Sequence, residues 1–247
     1  MVYFGSDDHK VYALDTATGQ MKWSAPFETS GQIWADLTLA EGTLYVGSLD
    51  HKLYALDAAT GKLNWSPPFD AGGIIVTKPT VANGVVYFGG LSKLYALDAQ
   101  TGQPKWTKAF EADSWIWSNP SVVSGVVYFG SLEGKVYAVD AMTGAAKWQE
   151  PFKTGNSVRS AVVVNNGVAY FGSDDFKVYA VDIETGKEKW SYKTENRIIA
   201  SPAVANGMVY VPSFDQKMYA LNAADGKLKW AVETVNGTRV TPTPGAK

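Results

Sequence analysis

Apolar and polar residues alternate in short runs along this chain, and turn-forming residues separate the runs every few positions. In residues 200–230 the pattern predicts four strands, which we label A to D: 201–204, 208–211, 217–221 and a last strand that carries Lys229 and Trp230. Asn206 and Gly207, between strands A and B, favour a tight hairpin turn with positive φ. No segment keeps apolar residues at helical spacing. We therefore predict an all-β chain.

The same four-strand pattern occurs six times. Each copy carries a tryptophan at its end, and these tryptophans are 40 to 42 residues apart: Trp23, Trp65, Trp106, Trp148, Trp190 and Trp230. The segment before each of them is nearly constant, as in LYALDAATGKLNW, which ends at Trp65. A period of about 41 residues built from short strands is typical of one β-propeller blade. We predict a six-bladed β-propeller of four-stranded antiparallel blades, forming a single domain over residues 1–247.

The two ends of the chain predict how such a ring closes. Residues 2–6 have the pattern of a strand B, so blade one lacks its own strand A. Pro242 follows Trp230 by 12 residues, as Pro202 follows Trp190, which places a strand A near the C-terminus. We therefore predict a Velcro closure, in which residues 236–244 complete blade one and remove an exposed sheet edge.

Composition excludes several classes of function. The 22 basic and 24 acidic residues give a net charge of −2, which provides no general attraction for nucleic acid. The absence of cysteine excludes disulfides, cysteine-ligated metals and thiol nucleophiles. No apolar run reaches the roughly 18 residues of a membrane helix. Met1 is followed by strand-like sequence rather than a signal peptide.

Motifs for catalysis or metal binding are also missing from the sequence. There is no nucleophile elbow, phosphate loop or zinc-protease motif, so we predict neither catalytic residues nor metal ligands. His9 and His51 lie at equivalent B–C turns and are predicted to be exposed turn residues. The acidic pairs Asp7-Asp8 and Asp174-Asp175 are predicted to be solvated at hairpin tips. A recurrent aspartate opens the turn before strand D and is expected to accept backbone hydrogen bonds there: Asp15, Asp57, Asp98, Asp140 and Asp182.

The phrase A-x-D-x-x-T-G-x-x-x-W resembles the tryptophan-docking motif of the PQQ-like (quinoprotein alcohol dehydrogenase-like) β-propellers, and the match extends over all six repeats. The resemblance implies that the six regular tryptophans are structural, each packing between blades against the glycine turn of the next motif. It also favours a periplasmic or extracellular location. Enzymes of this family have eight blades, a vicinal disulfide over the quinone, and Ca²⁺ bound by Glu and Asn.

The other tryptophans and every arginine lie in one kind of segment, the connection between strand D and the next strand A. In a propeller this connection lines the mouth of the central channel. Aligning the starts of strand A gives a ring of polar residues at one level: Asp36, Lys78, Asn119, Ser160, Ser201 and Thr241. The candidate ligand-binding residues at the mouth are Trp34, Asp36, Lys78, Trp115, Trp117, Asn119, Arg159, Arg197 and Arg239.

These residue types suit two kinds of ligand. Arginine binds carboxylates or phosphates through a two-pronged fork, and tryptophan offers a flat stacking surface. Together they suit a planar anion or an acidic or aromatic peptide. The alternative is that the tryptophans fill gaps between blades and the arginines satisfy carbonyl groups at the channel rim. A recurrent phenylalanine four residues after the docking tryptophan is expected to cover the outer sheet edge or the adjoining loop: Phe27, Phe69, Phe110 and Phe152.

Two functional hypotheses follow. The first is a non-catalytic scaffold, monomeric and without a cofactor, that binds a protein or peptide partner. The second is a small-molecule-binding protein or a PQQ-dependent quinoprotein dehydrogenase that uses the tryptophan and arginine mouth. In an enzyme of that kind, PQQ would be held with Ca²⁺, Asp36 would act as the base and Asn119 would be a metal ligand.

Overall fold

A computed structural model describes residues 1–234 and 239–240. In this part of the chain there are no helices, and 24 strands form six antiparallel sheets, one per blade. The first three blades comprise β1 (Val2–Gly5), β2 (Lys10–Leu14) and β3 (Phe27–Glu28); β4 (Thr38–Ala40), β5 (Thr43–Gly47), β6 (Lys52–Asp57) and β7 (Phe69–Asp70); β8 (Thr80–Ala82), β9 (Val85–Gly90), β10 (Lys93–Asp98) and β11 (Phe110–Glu111). The last three comprise β12 (Ser121–Val123), β13 (Val126–Gly130), β14 (Lys135–Asp140) and β15 (Phe152–Lys153); β16 (Val163–Asn165), β17 (Val168–Gly172), β18 (Lys177–Asp182) and β19 (Glu188–Lys193); β20 (Ala203–Ala205), β21 (Met208–Pro212), β22 (Lys217–Asn222), β23 (Leu228–Glu233) and β24 (Arg239–Val240).

The strands of each blade follow one another in sequence order from the inside of the ring to the outside. In blades that have a neighbour on each side, such as blade two, strands B and C are buried on both faces, which explains their nearly continuous apolar runs. The predicted A–B hairpin is present, with Asn206 and Gly207 at φ 52° and 72°. The all-β, six-bladed propeller predicted from the repeats is confirmed.

Strand D takes two forms. In blades five and six it is a six-residue strand that contains the docking tryptophan, Trp190 in β19 and Trp230 in β23. In the first four blades the ladder resumes only at the recurrent phenylalanine, because two extra residues follow the tryptophan. That phenylalanine packs edge-on against aromatic residues of the next blade, as Phe110 does against Phe129 and Tyr137. It therefore fills the seam between blades, and our expectation that it covers the outer sheet edge or the adjoining loop was wrong.

The core lies between the blades, where five of the regular tryptophans pack. The indole N–H of Trp106 donates to the Ala141 carbonyl at 3.0 Å, and its ring covers Gly144. A Cβ on that glycine would lie 2.8 Å from the indole, so only glycine fits this turn with its φ of 75°. Trp23, Trp65, Trp148 and Trp190 repeat the arrangement over the glycine of the following blade.

The predicted Velcro closure is not what the described part of the C-terminal segment shows. Arg239 and Val240 pair antiparallel with Val232 and Ala231 of β23, at the outer edge of blade six. Residues 236–238 and 241–244 lie outside the described residues. The sheet of blade one contains three strands among the described residues. Pairing with β23 is favoured by proximity in sequence, because a short hairpin closes at a much lower entropic cost than a return to the first blade.

Candidate functional site

One face of the propeller, which we call the mouth face, is formed by the D–A connections and the B–C turns. An aspartate in three of the B–C turns latches these two segments together. Asp175 accepts hydrogen bonds from the Lys177 N–H, the Tyr179 hydroxyl and the N–H of Gly155 in the preceding connection. Burial and this carboxylate raise the pKa of Tyr179. The same latch recurs at Asp50 and Asp215, so the connections are held at defined positions on the scaffold.

The two histidines belong to these turns. His9 and His51 are exposed and adopt positive φ values of 69° and 75°, as Phe176 does at the equivalent position with 74°. They take the last position of the turn before strand C. The structure thus places them where the sequence suggested, as surface turn residues.

The polar residues at the start of strand A are arranged differently from the predicted ring. Ser160 is buried one position deeper, where its hydroxyl bonds both the N–H and the carbonyl of Gly172, as Thr77 does with Gly89. The prediction that Ser160 lines the mouth was therefore wrong. Ser160 is the equivalent of Thr77, whereas our alignment had paired it with Lys78.

Asn119 and Ser201 tie neighbouring blades together near the channel. The Lys78 N–H donates to the Asn119 side-chain oxygen at 2.8 Å, and the Ala161 N–H donates to the Ser201 hydroxyl at 2.9 Å. The amide oxygen of Asn119 thus already has a structural partner. The position of Asn119 is therefore accounted for by the packing of neighbouring blades.

Arg159 lies in the connection before blade five, and its guanidinium is held by two groups. Its Nε donates to Asp174 Oδ2 at 3.0 Å, and its planar end lies 5.6 Å from the ring centroid of Trp117. The Asp174 side chain is only 10% exposed, so our prediction of a solvated carboxylate was wrong. Its second oxygen, Oδ1, is buried and has no hydrogen-bond partner among the described residues. A buried carboxylate oxygen in that state is an open acceptor for a further donor.

Arg197 repeats this arrangement one blade further. Its guanidinium lies 4.6 Å from the ring centroid of Phe214, which is 52% exposed in the B–C turn of blade six. Glu195 and Lys217 form an ion pair at 2.8 Å beside it and fix the connection. The sequence interpretation missed Phe214 and Asp174. Both occupy the same position of the B–C turn, where the backbone N–H donates to a carbonyl of the D–A connection. Their equivalent positions in the repeat were the sequence signal that could have identified them as site residues.

The remaining tryptophans are open to solvent on the same face. Trp34 and Trp115 are 54% and 46% exposed, whereas the docking tryptophans up to Trp190 are at most 8% exposed. Asp113 and Glu133 both bind Lys135 and anchor the connection that carries Trp115; the Lys135 ammonium lowers the pKa of Asp113.

Three predicted site residues share one cleft. Trp34, Asp36 and Lys78 line a cleft of about 320 Å³ together with Tyr3 and Phe4 of blade one. The predicted residues thus form three small groups: this cleft, the Trp117–Arg159 pair and the Arg197–Phe214 pair. Trp115 stands exposed beside them. Nothing is described for the Arg239 side chain.

The residues present do not fit a Ca²⁺–quinone site. Calcium takes six to eight oxygen ligands, and only Asp36 offers a carboxylate at the predicted level, while the Asn119 oxygen is bonded to Lys78. In the described part of the chain no three His, Cys, Asp or Glu side chains come together as a metal would require. The vicinal disulfide expected of such enzymes cannot form without cysteine.

Comparison with known proteins decides the family. The family model described as outer membrane protein assembly factor BamB, of the PQQ-like repeat type, matches residues 7–163 and 133–245. The chain belongs to this PQQ-like family. No curated protein matches the chain in sequence.

Three solved structures have a fold similar to that of the PQQ-like chain. The computationally designed Ika8 protein has a TM-score of 0.81 at 19% identity, covering 97% of this chain and 73% of Ika8. BamB from Moraxella catarrhalis has a TM-score of 0.78 at 20% identity, covering 93% and 69%. A quinohemoprotein alcohol dehydrogenase from Pseudomonas putida has a TM-score of 0.66 at 21% identity, covering 91% of this chain but only 47% of the enzyme. At these identities the likeness shows the fold.

The PQQ-like chain has no helix, over its described residues, that could cross a membrane.

Proposed function

We propose that this chain is a non-catalytic interaction module whose mouth face binds acidic and aromatic segments of a protein partner. The observation that carries the proposal is the pair of arginines, Arg159 and Arg197, each positioned against an aromatic ring on the same face. A guanidinium placed over a ring keeps its edge N–H groups free for a carboxylate. Membership in the family described by an assembly factor supports a protein partner and a periplasmic or extracellular location.

The exposed aromatic residues supply the second part of the surface. Trp34, Trp115 and Phe214 are each about half exposed, on a scaffold whose other large side chains are mostly buried. Tryptophan and arginine are the residues most enriched among those that dominate binding energy at protein interfaces. The latched turns hold these side chains before a partner arrives, which lowers the entropic cost of binding.

A small planar anion is the second candidate, and the same arginine and aromatic pairs favour it. Such a ligand would use the stacking surfaces and the guanidinium edges without a metal. The dehydrogenase variant of this idea is weaker, because the oxygen donors that Ca²⁺ needs are not assembled at the mouth.

An array of immobilised peptides tests the proposal. It should contain acidic peptides with and without Trp or Phe, together with neutral and basic peptides of matched length. We expect the full chain to prefer acidic peptides that carry an aromatic residue, with an affinity that falls as salt rises. Arg197→Ala should lower binding about tenfold, since a hydrogen bond to a charged group contributes about 1.5–3 kcal/mol.

The matched control is Lys187→Ala, which removes an exposed cation from a C–D turn on the opposite face. It should leave binding unchanged. Titration with PQQ, with and without Ca²⁺, provides the second arm. Binding of PQQ that depends on Ca²⁺ would favour the quinoprotein hypothesis, and equal binding of acidic and basic peptides would contradict ours.

A further inference from the structure

The outer edge of blade five, strand β19, is a regular sheet edge with no strand beside it among the described residues. It spans six residues, contains no proline and ends the sheet order β16-β17-β18-β19. From Trp190 to Lys193 its pairing with β18 is continuous. In the first four blades the edge strand has only two residues, and the chain leaves the ladder around the docking tryptophan. Short and interrupted edges hinder pairing with another chain, so blade five lacks a protection that these four blades have.

Blade six shows that an edge of this form accepts a strand. Its edge strand β23 also has six residues, and β24 pairs with its Ala231 and Val232. Ser191 and Tyr192 of β19 are the equivalents of these two residues, since both pairs lie one and two positions after the docking tryptophan. The backbone that receives β24 in blade six thus has a counterpart in blade five.

Charge distinguishes the blade-five edge from the edges of most other blades. In four blades the lysine that begins strand C lies opposite an acidic residue of strand D: Lys10 opposite Glu28, Lys52 opposite Asp70, Lys93 opposite Glu111 and Lys217 opposite Glu233. In blade five, Lys177 lies opposite Lys193 instead. Two like charges directly across a sheet repel each other. Blade five therefore has an excess of positive charge at its outer edge.

Blade four has the same kind of lysine pair but compensates for it. Lys135 lies opposite Lys153, and the Lys135 ammonium forms ion pairs with Asp113 and Glu133. Neither lysine of the blade-five pair forms an ion pair within the part of the chain that the structure describes. An acidic group supplied by another molecule would restore at blade five the pairing that the other blades contain.

The two faces of an added strand would meet different surroundings. Successive side chains of a strand point to opposite faces, and residues opposite each other share a face. Every second residue of the added strand would therefore lie beside Ser191 and Lys193. The residues between them would lie beside Tyr192, whose ring centroid is 5.8 Å from that of Tyr219 in blade six. Acidic residues fit the first face, and apolar residues fit the second.

We propose that the outer edge of blade five binds an extended segment of a partner protein in which acidic and apolar residues alternate. Main-chain hydrogen bonds to β19 supply affinity, and the Lys177–Lys193 pair selects the acidic residues. A second copy of this chain does not fit, because two β19 edges side by side would bring their lysines together. The site uses no side chain of the mouth face and does not depend on the proposed function.

Fluorescence anisotropy of the full chain with a labelled peptide of alternating Glu and Val tests the proposal. We expect binding that weakens as salt rises, and a lower affinity for a peptide in which the same residues stand in two blocks. Lys193→Glu should weaken binding about fivefold or more, because attraction becomes repulsion. The variant should fold, since it recreates the lysine–glutamate pair that Lys217 and Glu233 form in blade six.

Two measurements separate this edge from other parts of the molecule. Lys153→Glu makes the same charge reversal on the two-residue edge strand of blade four and should leave binding unchanged. Hydrogen exchange should slow in β19 when the peptide binds. A loss with Lys153→Glu as large as with Lys193→Glu, or protection of the mouth-face connections instead of β19, would overturn the proposal.

Methylation of the peptide's backbone amides tests strand addition itself. In an added edge strand, the N–H groups of alternate residues point to the protein and the others point to solvent. N-methylation of one alternate set should abolish binding, whereas methylation of the other set should leave it nearly unchanged. Equal binding of the two methylated peptides would overturn the proposal. A chain that self-associates, and whose dimer is strengthened by Lys193→Glu, would also overturn it, because a second copy would then occupy the edge.

Discussion

Each docking tryptophan joins two blades through an apolar ring and one polar atom. The carbonyl of Ala141 accepts both the Trp106 indole N–H and the Tyr87 hydroxyl, each at 3.0 Å, so the two lone pairs of one oxygen serve both rings. The glycine beneath the indole allows close contact with the ring. The resemblance to the PQQ-like family implied this arrangement, and the tryptophan and the glycine that carry the resemblance keep the same spacing in all six repeats.

Trp106→Ala should destabilise the protein by about 3–5 kcal/mol, the range for truncating a buried aromatic residue. Trp230→Ala should cost clearly less, because its ring is partly exposed and none of the described blades packs over it. Urea unfolding followed by far-UV circular dichroism measures both values. Equal losses for the two variants would contradict the distinction between covered and open faces.

The turn aspartates make stability depend on acid pH. The pKa of Asp15 is lowered to about 2, chiefly by the hydrogen bond from the Thr18 N–H, and hydrogen bonds from Thr143 lower the pKa of Asp140. A group whose pKa is lowered in the folded state adds stability above its unfolded pKa of about 3.9, and this stability is lost as pH falls through the folded value. We therefore expect Tm to fall as pH drops from about 4 to about 2.

Asp140→Asn should flatten this pH dependence, since an amide does not titrate in this range. Blade six already carries Asn222 at the equivalent position, where the amide oxygen still accepts from the Ala224 N–H. The fold therefore tolerates the change. A Tm that falls as steeply with acid in Asp140→Asn as in the parent would show that other carboxylates control the acid response.

At the scale of elements, the B–C turn and the D–A connection behave as one unit. Asp215 accepts from the Lys217 N–H, the Tyr219 hydroxyl and the Glu195 N–H, and so holds the segment that presents Arg197. The sequence predicted the turns but not the latch, because its acceptor and donors lie up to 20 residues apart in the chain. The buried position of Asp174 was missed for the same reason, since its environment is created by Arg159 from another segment.

Asp215→Ala should release the connection before blade six. We expect faster hydrogen exchange at the Glu195 amide and weaker peptide binding, with the other blades unaffected. Asp50→Ala, which removes the same latch in blade two, is the control and should leave the Arg197 segment unchanged. Unaltered exchange at Glu195 in Asp215→Ala would show that the Glu195–Lys217 ion pair alone fixes this segment.

At the scale of the whole molecule, the repeat period determined the number and order of blades, but not how the first and last blades are arranged. Each blade is specified by contacts within one repeat and with its neighbours, which recur in the sequence. Ring closure depends on one interface between the first and last blades and has no repeated signal. The predicted closure is consequently not what the described residues 239–240 show, since they pair with β23, and the open Gly19 turn, where no described tryptophan lies over the glycine, became visible only in three dimensions.

The most direct test of the central claim, that the mouth face is the binding surface, is hydrogen exchange of the full chain with and without its best acidic, aromatic peptide. The account predicts slower exchange in the connections at residues 154–159 and 194–199 and in the B–C turns of blades five and six. Protection confined to the C–D turns on the opposite face, or to the outer strands, would contradict it.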